Sequence, residues 1–224
     1  MCGRLNVHDS TAIQKLMSGL GLPALPSRPP RYNITPTSPV DVVLAMDDIA
    51  EMEWAIEFRD FRHPNTKVET VKRRPDLQKL LRDNRCLVPV NRFYEWPDPA
   101  VRPKWQGIKT RFCIHTPEDV MLLGGIYRIN PHGVMQFNIL TTDPNEQIAD
   151  FHHRMPVIVP PAKAPAWMRR RDLAEVYAMT EPYPNELIVY ECDGFVDSGR
   201  NDDPRCMQPA ARTGERSQPQ GQLL

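Results

Sequence analysis

The second residue of this chain is a cysteine, preceded only by Met1. Removal of Met1 would leave an α-amine and a thiol on one residue. The α-amine titrates near about 7.7–8.0, so a useful fraction is neutral near pH 7. The thiol is a strong nucleophile. An aldehyde meeting this 1,2-aminothiol first gives an imine at the amine, and the thiol then adds to the imine carbon and closes a five-membered thiazolidine. Only an N-terminal cysteine can take both steps. Gly3 lets the backbone approach a ligand closely, and Arg4 offers a planar, permanently charged guanidinium to a phosphate.

Other side chains could move protons. Glu95 lies among Phe93, Tyr94 and Trp96, where desolvation would raise its pKa towards neutrality and suit it to acid–base work. By default such a carboxylate is an exposed strand charge. His152 can carry a proton, although an isolated histidine is more commonly a core-edge residue. His152-His153 does not read as a metal pair, because adjacent side chains diverge and no HExxH accompanies them. Asn65 sits between Pro64 and Thr66, the setting of a turn residue. Lys72, Arg73 and Arg74 form a basic run, with Arg82 and Arg85 beyond it and Trp54, Phe58 and Phe61 before it. Cations beside aromatic platforms suit single-stranded nucleic acid; a solvated charged face is an equally good reading. Arg169-Arg170-Arg171 reads as a helix end, where cations favour the dipole.

Bulk properties bound the answer. A chain of 224 residues fits one domain plus a tail. The 24 prolines argue against a helical bundle. The 28 basic and 28 acidic residues cancel, which leaves room for a local basic groove but demands no acidic partner. The five cysteines are odd in number and form no CxxC, so neither a disulfide framework nor a zinc site is expected. No apolar run reaches the roughly 18 residues of a membrane span, and no signal-peptide pattern opens the chain. The expectation is a reduced, cytoplasmic protein, monomeric and without metal or cofactor.

The elements that must hold these groups can be read in outline. Ser10 is expected to cap a helix over TAIQKLMSGL, stopped by Gly19 and Gly21. Residues 23–39 hold six prolines and should wind in extended form. VDVVLAM and EMEWAIEF read as a strand pair turning near Asp47-Asp48. Pro75 opens a second helix. RCLVPVNRFYEW reads as a strand broken near Pro89, followed by strands in RFCIHT, VMLLGGIYRI and VMQFNILTT. A helical turn over 145–151, a short strand in MPVIVP, two short helices in APAWMRRRDLAEVYAM and a strand in LIVYEC complete the domain. Strands that do not alternate with helices imply an α+β, mainly β fold with a curved or barrel-like mixed sheet and short flanking helices. The domain is placed at 1–209, and 210–224 is expected to be a disordered tail.

Seven blocks, in order, carry a resemblance: MCGR at the start, RYNITP at 31–36, NTKVET at 65–70, RCLVPVNRFYEW at 85–96, ILTTDPN at 139–145, FHHRMPVIV at 151–159 and RNDDP at 200–204. The chain resembles the SOS response-associated peptidase (SRAP) family, known for shielding abasic sites in single-stranded DNA. The resemblance implies a β-rich fold with a basic groove leading to the N-terminal cysteine, and single-stranded DNA carrying an abasic site as partner. It implies that Cys2 forms a thiazolidine with the ring-opened sugar, in a single turnover that shields the lesion during the DNA damage response. Asn65 would hold the cysteine amine and the sugar, Glu95 would act as general acid and base, and His152 would hydrogen-bond or protonate the sugar oxygen. Arg4, Asn33, Lys67, Arg73, Arg74 and Trp54 would belong to the DNA-binding surface, Asn33 also positioning the N-terminus. The peptidase label would refer to autoprocessing that releases the first residue.

The chain also departs from the family. WAIEFRDFRHPN stands where a longer WGLxPxW-like stretch is common, Lys67 where Arg is usual, His153 where Asp is common and Arg128 where Glu is common. The chemical centre is kept and the DNA rim is altered. Two other readings stay open at this level. One is an N-terminal-nucleophile amidohydrolase, which also begins MCG but lacks its glutamine-binding blocks here. The other is a non-catalytic single-stranded DNA-binding module.

Overall fold

The computed structural model describes residues 2–45, 48–58, 61–100, 103–105, 109–169 and 171–211. Most of the expected C-terminal tail, from residue 212 on, therefore lies outside the described residues.

The chain runs β1 (Arg4–Val7), α1 (Ser10–Gly19), β2 (Arg31–Ile34), β3 (Pro39–Ala45), β4 (Asp48–Trp54), β5 (Ile56–Phe58), β6 (Phe61–His63) and β7 (Asn65–Lys67). Two helices follow, α2 (Val68–Arg73) and α3 (Pro75–Asp83). Then come β8 (Arg85–Val90), β9 (Arg92–Glu95), β10 (Phe112–His115), β11 (Met121–Ile129), β12 (Met135–Thr142), α4 (Glu146–Ala149) and β13 (Met155–Pro156). Short helices α5 (Ala164–Arg169) and α6 (Leu173–Tyr177) precede β14 (Ile188–Glu191).

The strands form two main sheets. One is antiparallel, in the order β14-β10-β9-β1-β2. The other runs β11-β8-β3-β4-β12, and β12 pairs back onto β11, so the path closes into a five-stranded barrel. Closure removes the unpaired edges that an open sheet must protect. β7 and β13 add to β12. This is the mainly β, barrel-like architecture expected from the sequence.

Composition explains the packing. Val42, Val88, Leu123, Phe137 and Ile139 fill the barrel side of one apolar cluster. Outside it, α1, α3 and α5 lay Ile13, Leu77, Leu81 and Trp167 on the barrel wall. The wall accepts Trp167 because Gly124 lies beneath it: a Cβ there would meet the indole at 2.9 Å. The Trp167 indole N–H is satisfied by the Cys86 carbonyl at 3.0 Å. At the β11–β12 turn, Gly133 takes φ 81°, a conformation glycine adopts without penalty.

Several local expectations are corrected. The α1 cap is Asp9, whose carboxylate accepts from the N–H groups of Thr11 and Ala12; its acceptor reaches both orphan donors from one residue before the helix. β2 emerges from the proline-rich stretch, and α2 is a short helix with no counterpart among the elements expected from the sequence. Pro89 does not break its strand: it pairs with Leu122, and the break falls at Asn91. Asn91 spends its side chain there, accepting from the His8 and Asp9 N–H groups and donating to the Asp9 and Asp119 carbonyls. Cys86, Cys113 and Cys192 are buried, as expected of small core residues.

Candidate functional site

β1 lies between β2 and β9, with Arg4 opposite Tyr94. One further step along that register sets Gly3 against Glu95, so the start of the chain lies beside the carboxylate. Asn65 opens β7, which is held parallel to β12 through Ile139, and its amide Nδ2–H donates to the Cys2 carbonyl at 2.8 Å. His152 follows α4 and brings its Nε2 to 3.8 Å from Glu95 Oε1. Four side chains spread over 150 residues of sequence thus meet at one place. They are 0% (Cys2), 8% (Asn65), 4% (Glu95) and 3% (His152) exposed, so the cluster is an interior site and not a surface patch.

Its electrostatics are those of a dry site. Burial drives the Cys2 thiol well above its ordinary range, and the neighbouring Glu95 carboxylate adds to the rise. The thiol donates to the Arg4 carbonyl at 3.8 Å. Burial likewise raises Glu95, against the opposing pull of the terminal ammonium, the Trp96 N–H and His153. The Trp96 N–H donates to Glu95 Oε1 at 3.0 Å. Asn65 Oδ1 is a buried acceptor that meets no donor among the described residues; leaving it so costs about 1–3 kcal/mol, which a ligand hydroxyl or amine would recover. His152 Nδ1 lies 3.0 Å from the Arg154 N–H and 2.9 Å from the Arg154 carbonyl. One ring tautomer uses the first and the other uses the second, so either tautomer of His152 finds a backbone partner at Nδ1.

The supporting shell contains a residue that sequence reasoning passed over. Arg154 is buried and makes a two-pronged pair with Glu69 at 2.9 and 3.0 Å. It also reaches Asp143 Oδ1 at 3.0 Å and the Thr141 carbonyl at 2.5 Å. It therefore ties the His152 segment to α2, which follows Asn65. The only sequence hint was its place inside a quoted block. Asn138 is a second such residue. It donates to Thr66 Oγ1 at 2.7 Å and accepts from the Ile56 N–H at 2.7 Å, fixing the turn that leads to Asn65.

The residues expected on a DNA rim divide into two groups. Lys67 and Arg73 are exposed near the start and end of α2. Arg74 is exposed but bound two-pronged by Asp76 at 3.1 and 2.6 Å, over the Phe58 ring. Arg4 is half-buried and donates to Asn33 Oδ1 at 2.9 Å and to the Val196 and Asp197 carbonyls at 3.2 and 3.3 Å. Asn33 is corrected: it is buried, and its Nδ2 donates to the carbonyls of Val196, Ser198 and Asn201. It clasps the 194–207 segment against β2 and presents no face to a phosphate. Trp54 is corrected too. It is fully buried, with its indole N–H donating to the Pro64 carbonyl at 2.9 Å, so it anchors the approach to Asn65 and offers no ring for a base. The His152 and His153 rings do not diverge; they stack at 4.8 Å with 24° between planes, because the bend after α4 turns both to the same side.

Comparison with known proteins fits this geometry. Residues 1–198 match the SOS response associated peptidase (SRAP) family. The chain belongs to that family. Among SRAP relatives it is 25% identical over 198 residues to the abasic site processing protein YoqW of Bacillus subtilis (strain 168), covering 80% of this chain and 86% of that protein. It is also 25% identical over 228 residues to the abasic site processing protein HMCES of Gallus gallus, covering 80% of this chain and 66% of that one. In fold it resembles a crystallised protein from Bacteroides thetaiotaomicron, with TM-score 0.75, 19% identity, and coverage of 92% of this chain and 100% of that one. A phage-related protein from Bordetella bronchiseptica superposes with TM-score 0.67 at 24% identity, covering 85% and 93% of the two chains. No helix among the described residues is long and apolar enough to cross a membrane.

Proposed function

We propose that this SRAP protein processes abasic sites in single-stranded DNA, and that Cys2, once Met1 is removed, captures the lesion as a thiazolidine. The observation that supports this most is the meeting of Cys2, Asn65, Glu95 and His152 in one buried cluster. The family assignment and the names of the relatives support the substrate class.

The chemistry follows from the electrostatics. A thiol raised by burial is not a thiolate near pH 7, so the amine attacks first. The Cys2 amine adds to the C1′ aldehyde of the ring-opened sugar, and loss of water gives the imine. The thiol then adds to the imine carbon. Its proton passes to a base while the imine nitrogen takes up a proton, leaving a neutral five-membered ring. Glu95, whose carboxyl is raised by burial, gives and takes these protons. His152, at 3.8 Å from it, serves the sugar oxygen during ring opening. Asn65 holds the cysteine through its carbonyl and keeps Oδ1 for the incoming amine or hydroxyl. Release of Met1 by the protein itself would use the same nucleophile and acid–base pair. Lys67 and Arg73, both exposed, would meet phosphates beside the lesion.

The test uses purified protein whose intact mass shows Met1 absent, with single-stranded DNA carrying one abasic site. A heat-stable adduct on a denaturing gel that requires both the lesion and Cys2 is expected. DNA binding with no adduct would reduce the protein to a binding module, and glutaminase activity without DNA binding would move it to the amidohydrolases.

A further inference from the structure

His153 forms the outer layer of the cluster. Its side chain is 34% exposed, against 4% and 5% for the side chains of His152 and Glu95. Its ring lies on that of His152, and its Nδ1 lies 3.1 Å from Asp98 Oδ2. We infer that His153, steadied by Asp98, is a further contact to DNA: as a strand arrives, Nε2 takes a proton from solvent and donates that N–H to a phosphate oxygen beside the lesion. The inference rests on the proposed function and adds to it a residue and a pH dependence.

Three observations carry it. First, Nδ1 is a buried atom, so the exposure of the side chain falls on its remaining atoms, of which Nε2 is the one polar atom. A nitrogen that faces solvent at the outer layer of the site can meet a phosphate that passes it. Second, Asp98 sets a carboxylate behind the ring. An imidazolium with a carboxylate at one nitrogen still has a second N–H to offer an anion. Third, the ring is poised between opposing charges. Burial, His152, the terminal ammonium and Lys67 hold His153 below the ordinary histidine range, and Asp98 opposes them. Glu95 is the other acid whose charge interacts with the ring. The ring is therefore neutral near pH 7 in the free protein, and a phosphodiester at Nε2 supplies the negative charge that tips the balance. Lys67, exposed and close enough to act on the ring, is the permanent cation on the same path. Sequence spacing alone could not show the pairing, since Asp98 lies more than 50 residues from His153.

The test is reversible binding of the full chain, with Met1 absent, to single-stranded DNA carrying a tetrahydrofuran site, an abasic analogue with no aldehyde to capture. Fluorescence anisotropy gives the affinity between pH 6 and pH 8 at several salt concentrations. A histidine that gains its proton in the complex gives affinity that is greatest at low pH and is lost as pH rises, by about tenfold for each unit by which the phosphate raises it. Wild type should weaken by at least about threefold over this range. Its slope of log affinity against log salt should be steeper at pH 6 by roughly 0.7, the release for one more phosphate neutralised on a single strand. His153→Gln should bind weakly and His153→Arg tightly, both with little change with pH, and Asp98→Asn should move the fall in affinity to lower pH. Circular dichroism checks each fold. A flat wild-type profile, or a pH dependence that survives unchanged in His153→Gln, would overturn the inference; the proposed function would still stand if the Cys2-dependent adduct forms. Absence of both binding and adduct would overturn the two together.

Discussion

Glu69→Ala tests whether the shell around the site is energetically coupled to it. Glu69 is the two-pronged partner of a buried guanidinium: the Arg154 side chain is 6% exposed and the Glu69 side chain 43%. Truncation leaves Arg154 with Asp143 and the Thr141 carbonyl. Hydrogen bonds to charged groups contribute about 1.5–3 kcal/mol. The exposure of Glu69 and the surviving partners reduce that, as solvent screening does for surface pairs, to an expected loss of about 1–2 kcal/mol. In a domain of this size that lowers the melting temperature by roughly 2–8 °C.

The pH dependence gives the argument a second edge. Burial alone would raise Glu69, but the Arg154 hydrogen bonds and charge outweigh it and hold the carboxyl below its ordinary value. A depressed carboxylate contributes stability that is present above its unfolded pKa of about 4.3 and is lost as pH falls through the folded value. Melting curves of wild type and Glu69→Ala, taken from pH 7 downward, should therefore converge in acid. A difference under about 0.5 kcal/mol at pH 7, or one that does not shrink as the pH is lowered, refutes the reasoning. Crosslinking should fall in parallel, because Arg154 links the His152 segment to the helix after Asn65, and Glu69→Gln should retain part of both.

Further outcomes are expected. Glu95→Gln should abolish or severely slow adduct formation while raising stability at pH 7, since the raised pKa of Glu95 means that ionising it costs stability as pH climbs above about 4.3; a variant less stable than wild type at every pH would contradict this. Asn65→Ala should slow adduct formation by tenfold or more, roughly the loss of one buried hydrogen bond in the reacting state, in single-turnover gel assays. Ala55 holds φ 150° next to Trp54. Ala55→Gly should therefore relieve about 1–3 kcal/mol of backbone strain against roughly 1 kcal/mol for glycine flexibility, giving a neutral or raised melting temperature; a drop beyond about 1 kcal/mol would show the residue is relaxed.

The parts of this molecule that sequence reveals are those fixed by local pattern. Strand periodicity in VMLLGGIYRI and VMQFNILTT survives folding because both segments pair with neighbours along nearly their whole length. Pro75 opens its helix because the first helical N–H has no partner to lose. Failures occur where a side chain's role is set by a remote contact. Trp54 and Asn33 look like exposed recognition residues in a linear reading, yet Pro64 and the 194–207 segment take up their polar atoms. Arg154 resembles any surface arginine until Glu69 and Asp143 arrive from elsewhere in the chain. The Asp98 and His153 contact is invisible for the same reason. The catalytic candidates were legible for a different cause: the chemistry of an N-terminal cysteine depends on one residue and its amine.

That distinction explains where the molecule holds its unfavourable free energy. A buried thiol, a buried carboxylate and the unmet acceptor of Asn65 all cost stability, and all lie within one cluster whose frame is overdetermined. β1 is paired on both sides, Asn138 holds the Asn65 turn, and Arg154 holds the His152 segment. A frame that rigid keeps the polar groups desolvated and unrelaxed before a ligand arrives. Under the proposed function, electrostatic interactions with a reacting sugar would then be stronger, with no reorganisation needed at the moment of reaction. Substitutions that soften the frame while leaving Cys2, Asn65, Glu95 and His152 untouched, such as Asn138→Ala, should accordingly reduce the rate of capture more than they reduce DNA affinity.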